Sequence, residues 1–413
     1  MARTTKGKAM MARLREVGFV RIALCALIGL VGALFALGLA ISGVTRIKAP
    51  QVALAVMPFE SVALASHADQ LFFANPKDPP RAVSTMALQA LKSQAINAKA
   101  LRVLGYAADA RGGSAKAELY IRKAAFLSRR ETGAQLWLIE SAARSGNIGK
   151  TLVHYDIALR TKPDTQTILF PRLLNAIEDR EVRTALKPYI RSDKDWVAGF
   201  LYTSNSSSRN LTALVDLIVE TGGLANADNA RKQELGLLAR LVSEGLFIEA
   251  RRLFLQMPDS KTERMVSAAF DDSDRDERFG PMGWQLLEDL NVGGGFIGKA
   301  GDRQTMFALF ANPANTRPVA TKLLYLKSGK YLFSSRLTNL DRGDGGFLRW
   351  QLRCPAIGGA PVWTIDSINA SLRAELLVPA NCPVQFLDLI ASGGKGQTGL
   401  EATIASVSVA PAN

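Results

Sequence analysis

The uncharged run Ile22–Val44, IALCALIGLVGALFALGLAISGV, constrains the chain more than any other stretch. As a helix its 23 residues extend about 34 Å at a rise of ~1.5 Å each, enough to cross the hydrocarbon core of a bilayer. A cleaved signal peptide has an apolar region of only about 7–15 residues, although Gly38 and Ala40 would offer small residues for cleavage. The run therefore reads as an uncleaved signal anchor. Six basic residues precede it (Arg3, Lys6, Lys8, Arg13, Arg15, Arg21) and two follow it (Arg46, Lys48). Basic flanks remain in the cytoplasm. The expectation is a single-pass inner-membrane protein with a cytoplasmic N-terminus and the bulk of the chain periplasmic. Those eight basic residues, against the single acid Glu16, supply half of the formal net charge of +14. The remaining excess is mild for its length, so a nucleic-acid partner is not expected.

The predicted layout is a basic tail over 1–21, the anchor over 22–44, a proline-containing connector over 45–84, a helical domain over 85–270 and a β domain over 279–413. Within the connector, Phe59–Phe73 has the composition of one helix, and the rest is expected to lift the next domain off the membrane. The polar stretch Thr203–Asn210, TSNSSSRN, is predicted to be an exposed loop.

An echo with a period of 34 residues runs through the helical region: Leu104 and Leu138, Ala108 and Ala142, Gly112 and Gly146, Ile121 and Tyr155, Ala124 and Ala158. A fixed period of this length signals an array of helix–turn–helix units. Small residues recur where two helices cross closely, large ones where a side chain fills the gap to the next hairpin, and glycine where the chain reverses. The pattern resembles the tetratricopeptide repeat. The resemblance rests on Leu104, Gly105, Ala117, Ile121 and Ala124, then on Leu138, Gly146, Tyr155, Ala158 and Pro163. A further copy falls at Leu237, Gly245, Ala250, Phe254 and Pro258, while Ala176, Ala185 and Tyr189 fit the frame loosely. Thr151 and Arg129 depart from the family pattern, and its early tryptophan is missing. The resemblance implies a concave scaffold that binds protein segments.

Beyond residue 278 the period changes. Thr321–Lys327, Lys330–Leu337, Gly346–Arg353, Leu372–Pro379, Gln385–Ile390 and Thr403–Ala410 are short apolar segments separated by glycine and proline clusters. Such spacing predicts an antiparallel two-sheet β-sandwich. The fold class is thus multidomain α plus β: a single transmembrane helix, a helical repeat solenoid and a C-terminal sandwich. Gly283–Trp284, Arg349–Cys354 and Val378–Pro379 ahead of Cys382 give a layout similar to jelly-roll modules of envelope and carbohydrate-active proteins. Cys354 and Cys382 both follow strand-like segments of the exported part, and a disulfide between them is predicted. Trp350 should point inward with Leu348 and Leu352. Trp363 and Trp284 are the candidate ligand platform, because sugar rings stack on exposed indoles.

Catalytic motifs fail on inspection. Gly293–Lys299, GGGFIGK, approaches a phosphate-binding loop, but Ala300 replaces the hydroxyl residue that would bind magnesium. Asp272, Asp274 and Asp276 alternate as in a calcium loop, but Glu277 and Gly283 occupy positions needing Gly and Glu, so Asp271–Glu277 reads as a solvated linker. The two histidines, His67 and His154, lack partners at metal-ligand spacing. No catalytic residue, metal site or cofactor is expected. Two function classes remain. The first is an anchored scaffold with protein partners, and polysaccharide as a further ligand of the sandwich. The alternative is a glycan-active envelope enzyme with a helical accessory domain.

Overall fold

The computed structural model describes residues 3–412 apart from 193, 208, 225–227, 271–273, 275–277 and 299–304, with side chains from Arg21 onward, 228–230 aside. The chain divides into two compact units, Met1–Leu169 and Phe170–Asn413. The division falls inside the stretch read as one helical domain.

The first unit is helical. It comprises α1 (Arg3–Thr45), α2 (Pro50–Val56), α3 (Ser61–Ala74), α4 (Arg81–Ser93), α5 (Ala98–Ala110), α6 (Ser114–Leu127), α7 (Thr132–Arg144) and α8 (Ile148–Thr161). Within α1, Arg21–Thr45 is long and apolar enough to cross a membrane, with a mean hydropathy of 2.6 over its most apolar window. Helices α7 and α8 begin and end 34 residues after α5 and α6. Gly112 and Gly146 close the first helix of each hairpin at φ of 77° and 69°, a conformation that a Cβ disfavours. Ile121, Ala124 and Ala158 are fully buried, and Leu104, Leu138 and Tyr155 nearly so.

The period also reaches backwards, into the segment read as a connector. Val83, Ala87 and Ala90 stand 34 residues before Ala117, Ile121 and Ala124, and all six are fully buried. Residues 45–84 hold α3, where one helix was expected over Phe59–Phe73, and in addition α2 and the start of α4. Two of their five prolines start helices: Pro50 is the first residue of α2, and Pro80 precedes α4.

The second unit opens with α9 (Gln166–Ala176), which crosses the division, followed by α10 (Arg180–Arg191), α11 (Asp195–Ser207), α12 (Leu211–Thr221), α13 (Asp228–Ser243), α14 (Phe247–Phe254) and α15 (Thr262–Val266). The expected loop at Thr203–Asn210 is helical as far as Ser207. The Ser204, Ser206 and Ser207 hydroxyls donate to the carbonyls of Phe200, Tyr202 and Thr203, four residues back, so the serines are satisfied within the helix.

Among the described residues ten strands then form the antiparallel sandwich: β1 (Trp284–Leu286), β2 (Val292–Ile297), β3 (Met306–Ala311), β4 (Thr316–Leu324), β5 (Gly329–Arg342), β6 (Phe347–Arg353), β7 (Pro361–Asp366), β8 (Ser371–Val378), β9 (Gln385–Ser392) and β10 (Leu400–Pro411). One sheet runs β1-β4-β9-β6-β7 and the other β2-β3-β10-β5-β8. Leu348, Trp350 and Leu352 alternate into the core with Leu387, Leu389 and Phe333. Cys354, at the end of β6, is disulfide-bonded to Cys382 ahead of β9, with their Cα atoms 5.6 Å apart.

Candidate functional site

Helices α3, α5 and α7 line an open groove of about 800 Å3 in the first unit. Arg102, Tyr106 and Asp109 fall at i, i+4 and i+7, which puts them on one face of α5. On α7, Gly133, Trp137 and Glu140 repeat that spacing.

Arg102 is 5% exposed and organises the floor. Its Nη1 and Nη2 donate to the two carboxylate oxygens of Asp69 on α3, each at 2.8 Å, and its Nε donates to Glu131, just ahead of α7, at 2.7 Å. Its guanidinium carbon lies 5.1 Å from the Tyr106 ring centroid. Burial opposes the charge of Arg102, but the hydrogen bonds and charge of Asp69, with Glu131 adding to them, hold its pKa above the ordinary arginine value. Burial likewise raises the Tyr106 phenol, which donates to the Gly133 carbonyl at 2.8 Å. Trp137 Nε1 donates to Asp109 at 2.9 Å. Gly133 is required here, because a Cβ would stand 2.6 Å from both Arg102 Cδ and Tyr106 Oη. Phe73 remains 60% exposed at the rim, 6.1 Å from Tyr106 between ring centroids.

Chemically, the groove offers aromatic faces, a rigid floor of paired charges, and rim groups of both signs including Arg130, Arg144, Lys162 and Glu140. Its size suits a short peptide segment or a ligand of similar bulk. Sequence reasoning missed it. The i, i+4, i+7 spacing of Arg102, Tyr106 and Asp109 is a detectable signal, whereas the link from Asp69 through Arg102 to Glu131 is not local.

A second polar feature lies on the outer face of the β1-containing sheet. Gln285, Thr321, Asp388, Gln351 and Thr364 are cross-strand partners in one row across all five strands. Asp388 is 1% exposed and accepts from Thr321 Oγ1 at 2.6 Å, from Gln351 Nε2 at 3.0 Å and from Arg353.

The candidate platform divides. Trp284 is 1% exposed, with its Nε1 donating to the Ala268 carbonyl and its ring 6.1 Å from that of Trp350, so it has no face to offer a sugar. Trp363 is half-buried on β7. It donates to the Glu375 carbonyl on β8 at 3.0 Å and packs 5.1 Å from the Phe333 ring, bridging the edges of the two sheets. Gly293–Ile297 of the phosphate-loop-like motif lies within β2, paired antiparallel with β3, and not ahead of a helix; Lys299 and Ala300 lie outside the described residues. Of the calcium-loop-like Asp271–Glu277, only Asp274 is described, and it accepts from Trp284 N and Arg264. His154 Nδ1 is 2.8 Å from Gln135 Oε1, and His67 lies on α3. Among the described residues there is no group of three or more His, Cys, Asp or Glu able to hold a metal ion.

No protein-family model matches the chain, and no curated protein matches it. Among solved structures, TmCBM61 in complex with beta-1,4-galactotriose is similar at 11% identity and a TM-score of 0.23, over 31% of this chain and 88% of that one. A structure described as CBM4 is similar at 11% identity and a TM-score of 0.21, over 37% of this chain and 92% of that one. Accessory secretory protein 1, 2 and 3 from Streptococcus pneumoniae is similar at 9% identity and a TM-score of 0.20, over 31% of this chain and 100% of that one. None of these likenesses carries a residue role onto this chain.

Proposed function

We propose that the chain is a membrane-anchored envelope scaffold that docks a partner polypeptide in the groove of its helical hairpins. The groove between α3, α5 and α7 carries this reading: it is open, aromatic-sided and floored by a buried arginine already neutralised by two acids. The 34-residue spacing of the helix boundaries supports a tetratricopeptide-like array, whose concave face is the customary place for an extended segment. The role is binding rather than catalysis. Asp69 and Glu131 are held by Arg102, and Asp109 by Trp137, so these three acids serve the architecture of the groove.

The anchor is uncleaved, with the N-terminus cytoplasmic and residues 45–413 periplasmic. The six-to-two distribution of basic flanks supports this topology, and the Cys354–Cys382 bond fits an oxidising compartment. The sandwich serves as a second recognition module for envelope polysaccharide. Its row of Gln285, Thr321, Gln351 and Thr364, ordered around the buried Asp388, supports this reading, because amides and hydroxyls suit sugar hydroxyls.

Two binding measurements test this function on the full chain in nanodiscs. Peptide arrays from envelope proteins should yield a segment whose binding is lost in Trp137→Ala. Calorimetric titration with envelope polysaccharide should show heat that Gln351→Ala abolishes. If no peptide binds, the scaffold reading fails; if no heat is seen, the glycan reading fails.

A further inference from the structure

The connection between α1 and the first helical hairpin turns back on itself. Arg46 and Ala49 continue the helical hydrogen bonding of α1, donating to Ser42 and Thr45, and the chain then reverses into α2. The two helices approach closely at Gly38, where a Cβ would stand 3.0 Å from Val56 Cγ1. Gly38 lies seven residues before Thr45, the last residue of the apolar span, or about 10 Å along the axis at ~1.5 Å per residue. The C-terminal end of α2 is therefore level with the interior of the span. Ser42, between these points, is only 3% exposed.

The chain then climbs again. Glu60 lies 3.9 Å from Arg46, just past the end of the span. Its carboxylate also accepts from the Ala63 amide, so this acid is paired and capped. Between these two charges, α2 and the turn after it carry none: the sequence is PQVALAVMPF. Val52 (48%), Val56 (42%) and Phe59 (69%) are exposed on them, as is Ile47 (58%) just before α2; the one exposed polar side chain among them, Gln51, donates its Nε2 to Gln70 Oε1 at 3.2 Å. Their inward side belongs to the helical unit: Ala53 is fully buried, and Leu54 packs with Leu64, Ala65, Ala90 and Ala100.

We propose that α2 and the Met57–Phe59 turn form a second, re-entrant anchor that dips into the acyl layer of the leaflet at the C-terminal end of α1. The proposal rests on the reading that α1 spans the membrane. The occupant of the apolar face is phospholipid acyl chain, because the face is continuous with the lipid-facing surface of the span and lies at its depth. The backbone is prepared for such a setting: Val52 and Met57 amides donate to the carbonyls of Ala49 and Ala53. Arg46 and Lys48 sit where headgroup phosphates would be. The helical hairpins are in this way seated on the bilayer surface through Leu54, rather than held away from it on a tether.

The test uses the full chain in phosphatidylcholine nanodiscs, on a Cys25→Ser background. A bimane probe is placed singly at Leu30→Cys in the span, at Val52→Cys, at Phe59→Cys and at Asp78→Cys. Lipids brominated on their acyl chains serve as quencher. Probes at 30, 52 and 59 should lose most of their emission, and the probe at 78 should keep it. Quenching at 30 with emission at 52 and 59 retained as at 78 would overturn the re-entrant anchor alone. Blue-shifted but unquenched emission at 52 and 59 would assign the face to a second copy of the chain and likewise overturn it. Absence of quenching at 30 would overturn the spanning reading and the proposal with it.

Discussion

The close crossing inside a hairpin makes a signed prediction at Gly105. A Cβ at this position would stand 2.6 Å from Ile121 Cγ1, 2.7 Å from Ile121 Cδ1 and 3.2 Å from the Ala117 carbonyl oxygen. Carbon atoms in contact sit at about 3.5–4.0 Å, so α5 and α6 must separate by about 1 Å or Ile121 must leave its rotamer. Ile121 is fully buried, so any shift must move its packed neighbours. Gly105→Ala gains about 1 kcal/mol of helix propensity but incurs an overpacking cost of about 1–3 kcal/mol. The expected net effect is a loss of up to ~2 kcal/mol. Gly149→Ala is the matched control: it lies in α8, its new Cβ meets nothing closer than 3.8 Å, and it gains propensity alone. The assay is amide hydrogen exchange of the full chain in nanodiscs, read on peptides covering 98–127 and 148–161, where protection reports the local opening free energy. Faster exchange in Gly105→Ala and unchanged or slower exchange in Gly149→Ala are expected. If both substitutions slow exchange equally, the close-crossing argument is wrong.

Arg102→Met should destabilise the first unit by about 2–4 kcal/mol, somewhat below the full cost of orphaning a buried pair because Asp69 and Glu131 retain some solvent; loss of protection in α3, α5 and α7 would register it. His154 is held below its ordinary pKa by burial and by the Arg122 charge. The unfolded chain therefore takes up the proton first, and stability falls as pH drops from about 6.5 toward the lower folded value, then levels off. Unfolding of wild type against His154→Gln across that window should show this decline in wild type alone. Opening the Cys354–Cys382 bond, which spans 28 residues, should lower sandwich stability by about 3–4 kcal/mol in the chain-closure description. Thermal scans of oxidised and reduced protein measure that difference.

Local periodicity made much of the architecture readable. Gly112 and Gly146 mark the same turn in successive hairpins, and alternation along Phe347–Arg353 places Trp350 in the core. Within 45–84 the helix expected over Phe59–Phe73 is α3, but α2 and the start of α4 were hidden by Pro50 and Pro80, which stand at helix starts, where a missing amide costs nothing. The serines of α11 look loop-forming, yet each returns its hydroxyl to its own helix. Strand β2, with three consecutive glycines, lacks the apolar alternation that marks β6; its pairing comes from β3. The groove was least legible. Its central arginine joins Asp69 and Glu131, 33 and 29 residues away, and only the packing of three helices brings them together. Trp284, put forward with Trp363 as a ligand platform, plugs the sandwich instead, enclosed by the Ala268 carbonyl and the Trp350 ring.

Docking in the groove is tested most directly by photo-cross-linking in intact cells. Benzoylphenylalanine replaces Phe73, at the groove rim, or Phe126, which is 89% exposed on α6 and does not line the groove. A discrete polypeptide adduct is expected from position 73, absent from position 126 and lost when Trp137→Ala is added. No adduct at 73, or the same adducts from both positions, would contradict the account.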